Sequence, residues 1–323
     1  MPSPNKSLAT LRPDLGASLE EFDLEADRGG FVGQKVFPVM DVATKSDTYG
    51  VIPVEEMLRD SDLRRVPKSG YNRDDFEFTD RDFSCKEYGK EQIIDDAESN
   101  IYANYFDLEL IATRRAMDKV MRGAEKRVAD KVFNSTTYTN QTTAVVNEWD
   151  DADNADPITD IEAAVQAVFE QCGMWPNALV INKKVFRNLR NCASILERIK
   201  YQGFTDVKAS QINPMVLASL FDLDQVLVAG GTRNSAQKGQ SAIFSQIWSD
   251  EYAWVGVVAT DNDIQQPCVG RTFHYVGDGS QVDGRVEIYR EEGVRGDVVR
   301  VRHQTDENDV YSECGHLLSN ITT

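Results

Sequence analysis

Histidine is the scarcest reactive side chain in this sequence, with three among 323 residues. That leaves little acid–base equipment for catalysis near neutral pH and little for a histidine-rich metal centre. Positive charge is also short: 35 Lys and Arg stand against 53 Asp and Glu, a formal net charge of -18. A nucleic-acid-binding face formed by the whole molecule is therefore not expected. Five cysteines, Cys85, Cys172, Cys192, Cys268 and Cys314, lie far apart and are odd in number, so they read as small buried apolar residues rather than a disulfide framework. No run approaches the ~20 apolar residues of a membrane span, and MPSPNKSLATLRPDLGASLEEFDLEADRGG has no stretch long enough for a signal peptide. A soluble protein made in the cytoplasm, with no membrane partner, is expected.

Catalytic motifs are missing as well. There is no G-x-S-x-G, no H-E-x-x-H and no G-x-x-x-x-G-K-[ST], since Lys238 precedes its glycine. What is present is an ordered globular composition, 41% hydrophobic and 27% charged, in a chain long enough for one large or two modest domains.

The first thirty residues are polar and acidic, without periodicity, and read as an extended arm. FVGQKVFPVMDVATKSDTYGVIP, residues 31–53, alternates short apolar runs with turn residues and predicts strands. Residues 63–89, LRRVPKSGYNRDDFEFTDRDFSCKEYG, interleave charged and aromatic residues around Pro-Lys-Ser-Gly. They predict a long two-stranded hairpin with too little apolar surface to stand alone. From Asp96 to Asn134 a proline-free stretch carries the stripe Tyr102, Phe106, Leu110, Met117, Met121, Ala124, Val128, Val132 and a second one beside it. This predicts a single long helix, roughly 50 Å or more at ~1.5 Å per residue.

Near residue 157 the texture becomes mixed α/β. Thr159 and Glu162 form a capping box for a helix ending at Gly173. Ala178–Ile181 reads as a buried strand, and one helix carries Val185, Leu189, Cys192, Leu196 and Ile199. A short helix spans Pro214–Phe221, a strand Gln225–Ala229, and further strands Ile243–Ala259. RTFHYVG, RVEIYRE and DVVRVRH close the chain as strands.

Four features invite a chemical reading. VLVAGGTRNS, residues 226–235, runs a β-branched strand into Gly230 and Gly231, as at the start of a dinucleotide fold, with Asp250 and Glu251 about twenty residues on. The third glycine and an apolar helical face after it are missing, so a polar strand connection is the better reading. Asp150–Glu162 is rich in carboxylates and free of Lys and Arg. As a calcium loop it fails at Ala155 and at Asp156, where the turn needs glycine. Cys268, His274, Cys314 and His316 make an imaginable zinc set without a Cys-x-x-Cys anchor, and Cys314 with His316 a poor nucleophile and base pair. No catalytic residue, cofactor or metal site is expected. Arg64, Arg65, Lys68 and Arg73 cluster on the hairpin, where they are placed to meet acids of an adjacent copy.

The order of these parts resembles the major capsid proteins of tailed bacteriophages, the Hong Kong ninety-seven type fold. KVFPVMDVATKSDTYGVIP resembles that family's arm and entry strands, and FSCKEYGKEQIIDDAESN the descending side of its extended loop. GMWPNALVINKKVFRNLRNCASILERIKY, LASLFDLDQVLVAGGTRN and SQIWSDEYAWVGVV resemble the axial domain, and DVVRVRHQTDENDVYSECGHLL the closing strands.

The resemblance implies an α+β capsid fold. Arm and entry strands would occupy residues 1–54, an extended β-hairpin loop 55–94, and a long spine helix with a peripheral β-sheet 95–150. A mixed α/β axial domain would cover 151–262 and return strands 263–323. It implies a homo-oligomer of hexamers and pentamers in an icosahedral shell around viral DNA, a virion location, and separate scaffolding, portal or decoration proteins as partners. No specific nucleic-acid binding goes with it, because a shell that gripped its DNA would impede packaging and release. Two alternatives stand beside it: an encapsulin-type compartment shell of the same fold, and a Rossmann-type nucleotide-dependent enzyme using VLVAGG.

Overall fold

The computed structural model describes residues 30–73, 75, 77–102, 108–201, 211–260 and 266–322. The predicted arm therefore lies outside the described residues except at Gly30. The chain enters through one helical turn, α1 (Gly33–Val36), and strand β1 (Val39–Val42). Strand β2 (Ser46–Val51) and a short helix α2 (Val54–Met57) precede a long loop. Beyond the loop come β3 (Thr79–Ser84) and β4 (Lys86–Asp95).

The long predicted helix is described as α3 (Asp96–Tyr102) and α4 (Leu108–Val132), with 103–107 outside the described residues. At 25 residues, α4 by itself measures ~37 Å. Ala112, Ala116, Val120, Val128, Ala129 and Val132 form its buried side.

After β5 (Thr142–Ala144) comes α5 (Pro157–Cys172). The predicted capping box does not form. Asp156 is the N-cap, accepting from the Thr159 amide, and Pro157 occupies the first turn, where its missing N–H costs nothing. The helix stops where expected, at Gly173 in the left-handed conformation (φ 68°).

Strand β6 (Ala178–Asn182) leads into two helices rather than the one predicted, α6 (Lys183–Leu189) and α7 (Ala193–Tyr201). The break has a local cause: Asn191 and Cys192 donate three residues back, and the Ala193 amide turns to the Ala152 carbonyl. Helix α8 (Pro214–Leu220), capped by Asn213, precedes β7 (Gln225–Ala229), β8 (Thr232–Asn234), β9 (Phe244–Gln246) and β10 (Tyr252–Gly256). The chain closes with β11 (Gly270–Tyr275), β12 (Arg285–Glu291), β13 (Gly296–Asp309), a 3-10 turn (Ser312–Cys314) and β14 (Gly315–Ser319).

Two five-stranded sheets organise these elements. In the axial sheet, ordered β5-β14-β10-β6-β7, β6 runs parallel to β7 and antiparallel to β10. Every residue of β6 is buried, because both faces are covered. Leu179 and Ile181 join Ile161, Leu189, Ile195 and Leu217 beneath the helices. Ala178 and Val180 point the other way, to Val128, Val132 and Trp254. In the peripheral sheet the 14-residue β13 pairs with β4, β11 and β12, and Val301 packs on Ala116 and Val120 of α4. Arg127 ties helix to sheet through Nε and Nη2, each 2.8 Å from a Glu307 carboxylate oxygen, with its guanidinium 3.7 Å over the Tyr88 ring.

The hairpin predicted over 63–89 is not the pairing observed. Its turn exists, with Ser69 N–H on the Val66 carbonyl and Lys68 at φ 70°, but among the described residues the stretches on its two sides do not pair with each other. The two-stranded ribbon is formed by β2 and β3, from Ser46 opposite Ser84 to Val51 opposite Thr79, with the loop between them as its tip.

Candidate functional site

The paired glycines sit where β7 ends, and a strand rather than a helix follows them. β8 pairs antiparallel with β9, Thr232 opposite Gln246, so no helix begins directly after Gly230 and Gly231. The nucleotide-loop reading fails at that point. What the glycines meet is the entering chain. Gly230 N–H donates to the Gly30 carbonyl at 2.9 Å, and a Cβ on Gly30 would lie 2.8 Å from Gly230 Cα. A Cβ on Gly231 would lie 2.9 Å from the Phe31 ring. The pair is small because another segment crosses it.

That crossing is fixed by Glu125 of α4, 4% exposed. Its carboxylate accepts from Val32 N–H (2.8 Å), Gly33 N–H (2.8 Å) and Trp248 Nε1 (2.6 Å). Burial pushes the Glu125 carboxyl up, against the hydrogen bonds from Trp248, Val32 and Gly33 that favour its charged form. Arg122, one turn earlier, pairs with Asp118 at 2.9 Å, donates to the Thr232 carbonyl and lies 5.5 Å over the Phe31 ring. One helix face thus joins the entry segment, the β8–β9 hairpin and the Trp248 segment. Sequence reading missed Glu125, although a signal was present: it continues the Met121, Val128, Val132 stripe at helical spacing, an acid on an apolar face.

The imagined zinc set does not come together as one site. His274 Nδ1 meets Asp41 Oδ1 at 2.8 Å, whereas His316 Nε2 meets Thr143 Oγ1 at 3.0 Å in the other sheet. Among the described residues no group of three or more His, Cys, Asp or Glu is placed to hold a metal ion. Cys314 is buried in a cluster with Cys172 and Val257.

His274 does complete an order of groups known from hydrolases, with Ser280 Oγ 3.4 Å from its Nε2. The arrangement is inverted for that chemistry. Serine and histidine are buried and the carboxylate is exposed, and Ser280 N–H donates to Asp278 at 2.9 Å instead of lining an oxyanion site. In the acidic loop, Asp151 accepts from the Asp153 and Asn154 amides, Asp156 caps α5, and Asp160 accepts from Trp149 Nε1 at 2.9 Å. Those three carboxylates hold the loop itself.

Among the described residues the extended loop is the least self-sufficient part. Its foot is anchored: Phe83 stacks on Phe273 (centroids 4.7 Å apart), Ser84 N–H donates to Asp306, and Tyr311 hydroxyl donates to the Ile52 carbonyl at 2.9 Å. Leu58 packs on Gly173 at the end of α5. Beyond that point Leu63 (88% exposed), Val66, Tyr71 (74%) and Phe78 face solvent. Arg64, Arg65, Lys68 and Arg73 are all exposed around the same turn, with Arg65 Nε on the Ser69 carbonyl and its guanidinium over Tyr71.

An α+β chain with a two-stranded loop projecting from its foot, a spine helix on a peripheral sheet and a helix-covered axial sheet has the Hong Kong ninety-seven type fold of phage capsid subunits. Two solved structures carry that likeness. A phage-related protein of Bordetella bronchiseptica matches with a TM-score of 0.65 over 96% of this chain and 97% of that one, at 18% identity. The capsid of Cyanophage P-SCSP1u matches at 0.61 over 88% and 86%, at 9% identity. In sequence the chain is similar to the major capsid protein of Burkholderia phage BcepMu, 27% identical over 275 residues, 80% of this chain and 84% of that one. No family model matches the chain.

Proposed function

We propose that this protein is the major capsid protein of a tailed phage, a structural subunit that joins copies of itself in the shell enclosing viral DNA and resides in the virion. The carrying observation is the extended loop, anchored at its foot and, beyond it, exposing Leu63, Val66, Tyr71 and Phe78 among charged neighbours. Such a surface is stabilised by a neighbour. Hexamers and pentamers are the assembly units that the fold implies. Arg64, Arg65, Lys68 and Arg73 then contact acids of the adjacent subunit, in a protein with 53 acids to draw on. Scaffolding, portal or decoration proteins complete the partner set. The encapsulin-type shell shares the fold, and the sequence relative, a phage capsid protein, favours the phage reading.

Electron microscopy of the purified full chain over a range of concentrations, with light scattering, tests this. Shells, rings or sheets of capsomers are expected. Monomers or dimers alone, at every concentration and with the loop intact, would sink the proposal.

A further inference from the structure

The sequence holds four tryptophans. Trp149, Trp248 and Trp254 are buried, whereas Trp175 is 60% exposed. Its ring stacks on Phe169 of α5, centroids 4.3 Å apart, so it is held in one place without being covered. Leu58, 62% exposed, packs on Gly173 at the same helix end, and Met174 is half-buried there. These side chains make an apolar patch where α5 ends and the extended loop begins. Its rim is acidic. A groove at the foot of the loop is lined by Val54, Glu55, Gln171, Tyr311 and Glu313, with Arg81 as its cation. Arg81 is engaged by Asp309, 3.7 Å from the carboxylate and 3.0 Å from the carbonyl oxygen. Glu55, Glu313 and, on α5, Glu170 are exposed. The far part of the loop is the converse surface, with Leu63, Val66 and Tyr71 exposed among Arg64, Arg65, Lys68 and Arg73. Within one subunit the two surfaces stay apart, because the loop leaves the patch at Leu58 and both remain open to solvent.

We propose that the Trp175 patch receives the extended loop of a second copy of this chain, the loop's apolar side chains on Trp175, Phe169 and Leu58 and its cations on Glu55, Glu170 and Glu313. This rests on the capsid reading and names the surface that the loop meets. Of the pairings open to these two surfaces, loop against loop and patch against patch would set like charges together. Loop against patch sets an apolar centre with a basic rim on an apolar centre with an acidic rim, the anatomy of a specific contact. Each copy then gives one loop and receives another, a head-to-tail contact that closes into a ring when repeated. Tryptophan, tyrosine and arginine are the side chains on which binding at such contacts mostly depends. Trp175 supplies the first, and the loop brings Tyr71 with Arg64, Arg65 and Arg73.

Because the other three tryptophans are buried, acrylamide quenching of tryptophan emission reports Trp175 in the unaltered full-length protein. Quenching should fall severalfold when subunits assemble. In particles built from isotopically light and heavy chains, a carbodiimide should join Lys68 of one chain to Glu55, Glu170 or Glu313 of another, read by mass spectrometry of the linked peptides. Trp175→Ser should unfold in urea as the wild type does and assemble about tenfold more slowly or worse, with Trp175→Tyr recovering most of the rate. Trp175 as quenchable in particles as in subunits, Lys68 joined between chains to none of the three acids, or Trp175→Ser assembling at the wild-type rate would each overturn the proposal. Those results are read in particles that have formed, so they leave the capsid reading standing. Failure of the wild-type chain to assemble at all would sink both.

Discussion

Strand β6 and the loop between β2 and β3 represent two ways of being stable. In β6 every side chain has neighbours on its own face of the sheet, so the strand is complete inside one subunit. Along the loop, side chains as apolar as Leu63 and Tyr71 stand in solvent, with turns along it and contacts at its foot. Burial stabilises a large apolar side chain by about 1.5–3 kcal/mol. β6 realises that within the subunit, and the loop can realise it only against something else. Substitutions in the two regions should therefore be read by different measurements.

The largest effect belongs to the axial core. Trp254→Ala, at a fully buried position between the sheet and α4, should cost the isolated subunit about 3–5 kcal/mol in urea unfolding. Its counterpart, Leu63→Ser, should leave subunit stability within about 0.5 kcal/mol and still abolish or delay assembly followed by light scattering. Equal destabilisation of the subunit by both changes would break the comparison.

Next comes Glu125→Gln. A carboxylate accepting three N–H groups becomes an amide whose own NH2 must face a donor, a loss of about 1–3 kcal/mol. Hydrogen exchange should quicken at Val32 and Gly33, with no change at the loop turn near Ser69.

The pH dependence also belongs to the core. Burial lowers both His303 and His316, so below about pH 6.5 the unfolded chain binds protons that the folded chain resists binding. Stability should fall as pH drops through about 6.5 toward the depressed folded values, and His316→Asn should flatten that slope in urea midpoints. The chain's three histidines lie at 274, 303 and 316, so the loop contributes nothing to it. The smallest effect on the subunit comes from replacing Arg64, Arg65, Lys68 and Arg73 together by serine. Its unfolding should not change, while assembly should weaken and lose part of its salt dependence.

Much of this division was legible in the sequence, though unevenly. β7 falls at Gln225–Ala229 as predicted, and α5 ends at Gly173 as predicted, because local chemistry decides both. The ribbon was misread because β3 takes its partner from across the whole loop, and a pairing at that separation leaves no mark in either strand's own pattern. The cap of α5 was misplaced by three residues because Asp156 before Pro157 outcompetes Thr159. Glu125 was visible as a charge but not as a hub, since its three donors come from residues 32, 33 and 248. Arg64, Arg65, Lys68 and Arg73 are exposed around one turn, with the Arg65 guanidinium over the Tyr71 ring.

The position of β13 and β14 carries a consequence in time. β13 is bonded to β4, β11 and β12, and β14 lies between β5 and β10, so strands late in the chain order stand in the interior of both sheets. During synthesis neither sheet can close until the ribosome has released these segments, and contacts that join distant stretches of chain form slowly. The foot of the extended loop waits on the same event, because Asp306 and Tyr311 anchor it. A chain stopped before Gly296 would lack the strand that β4 pairs with, and with it the framework on which the loop is held out to a neighbour.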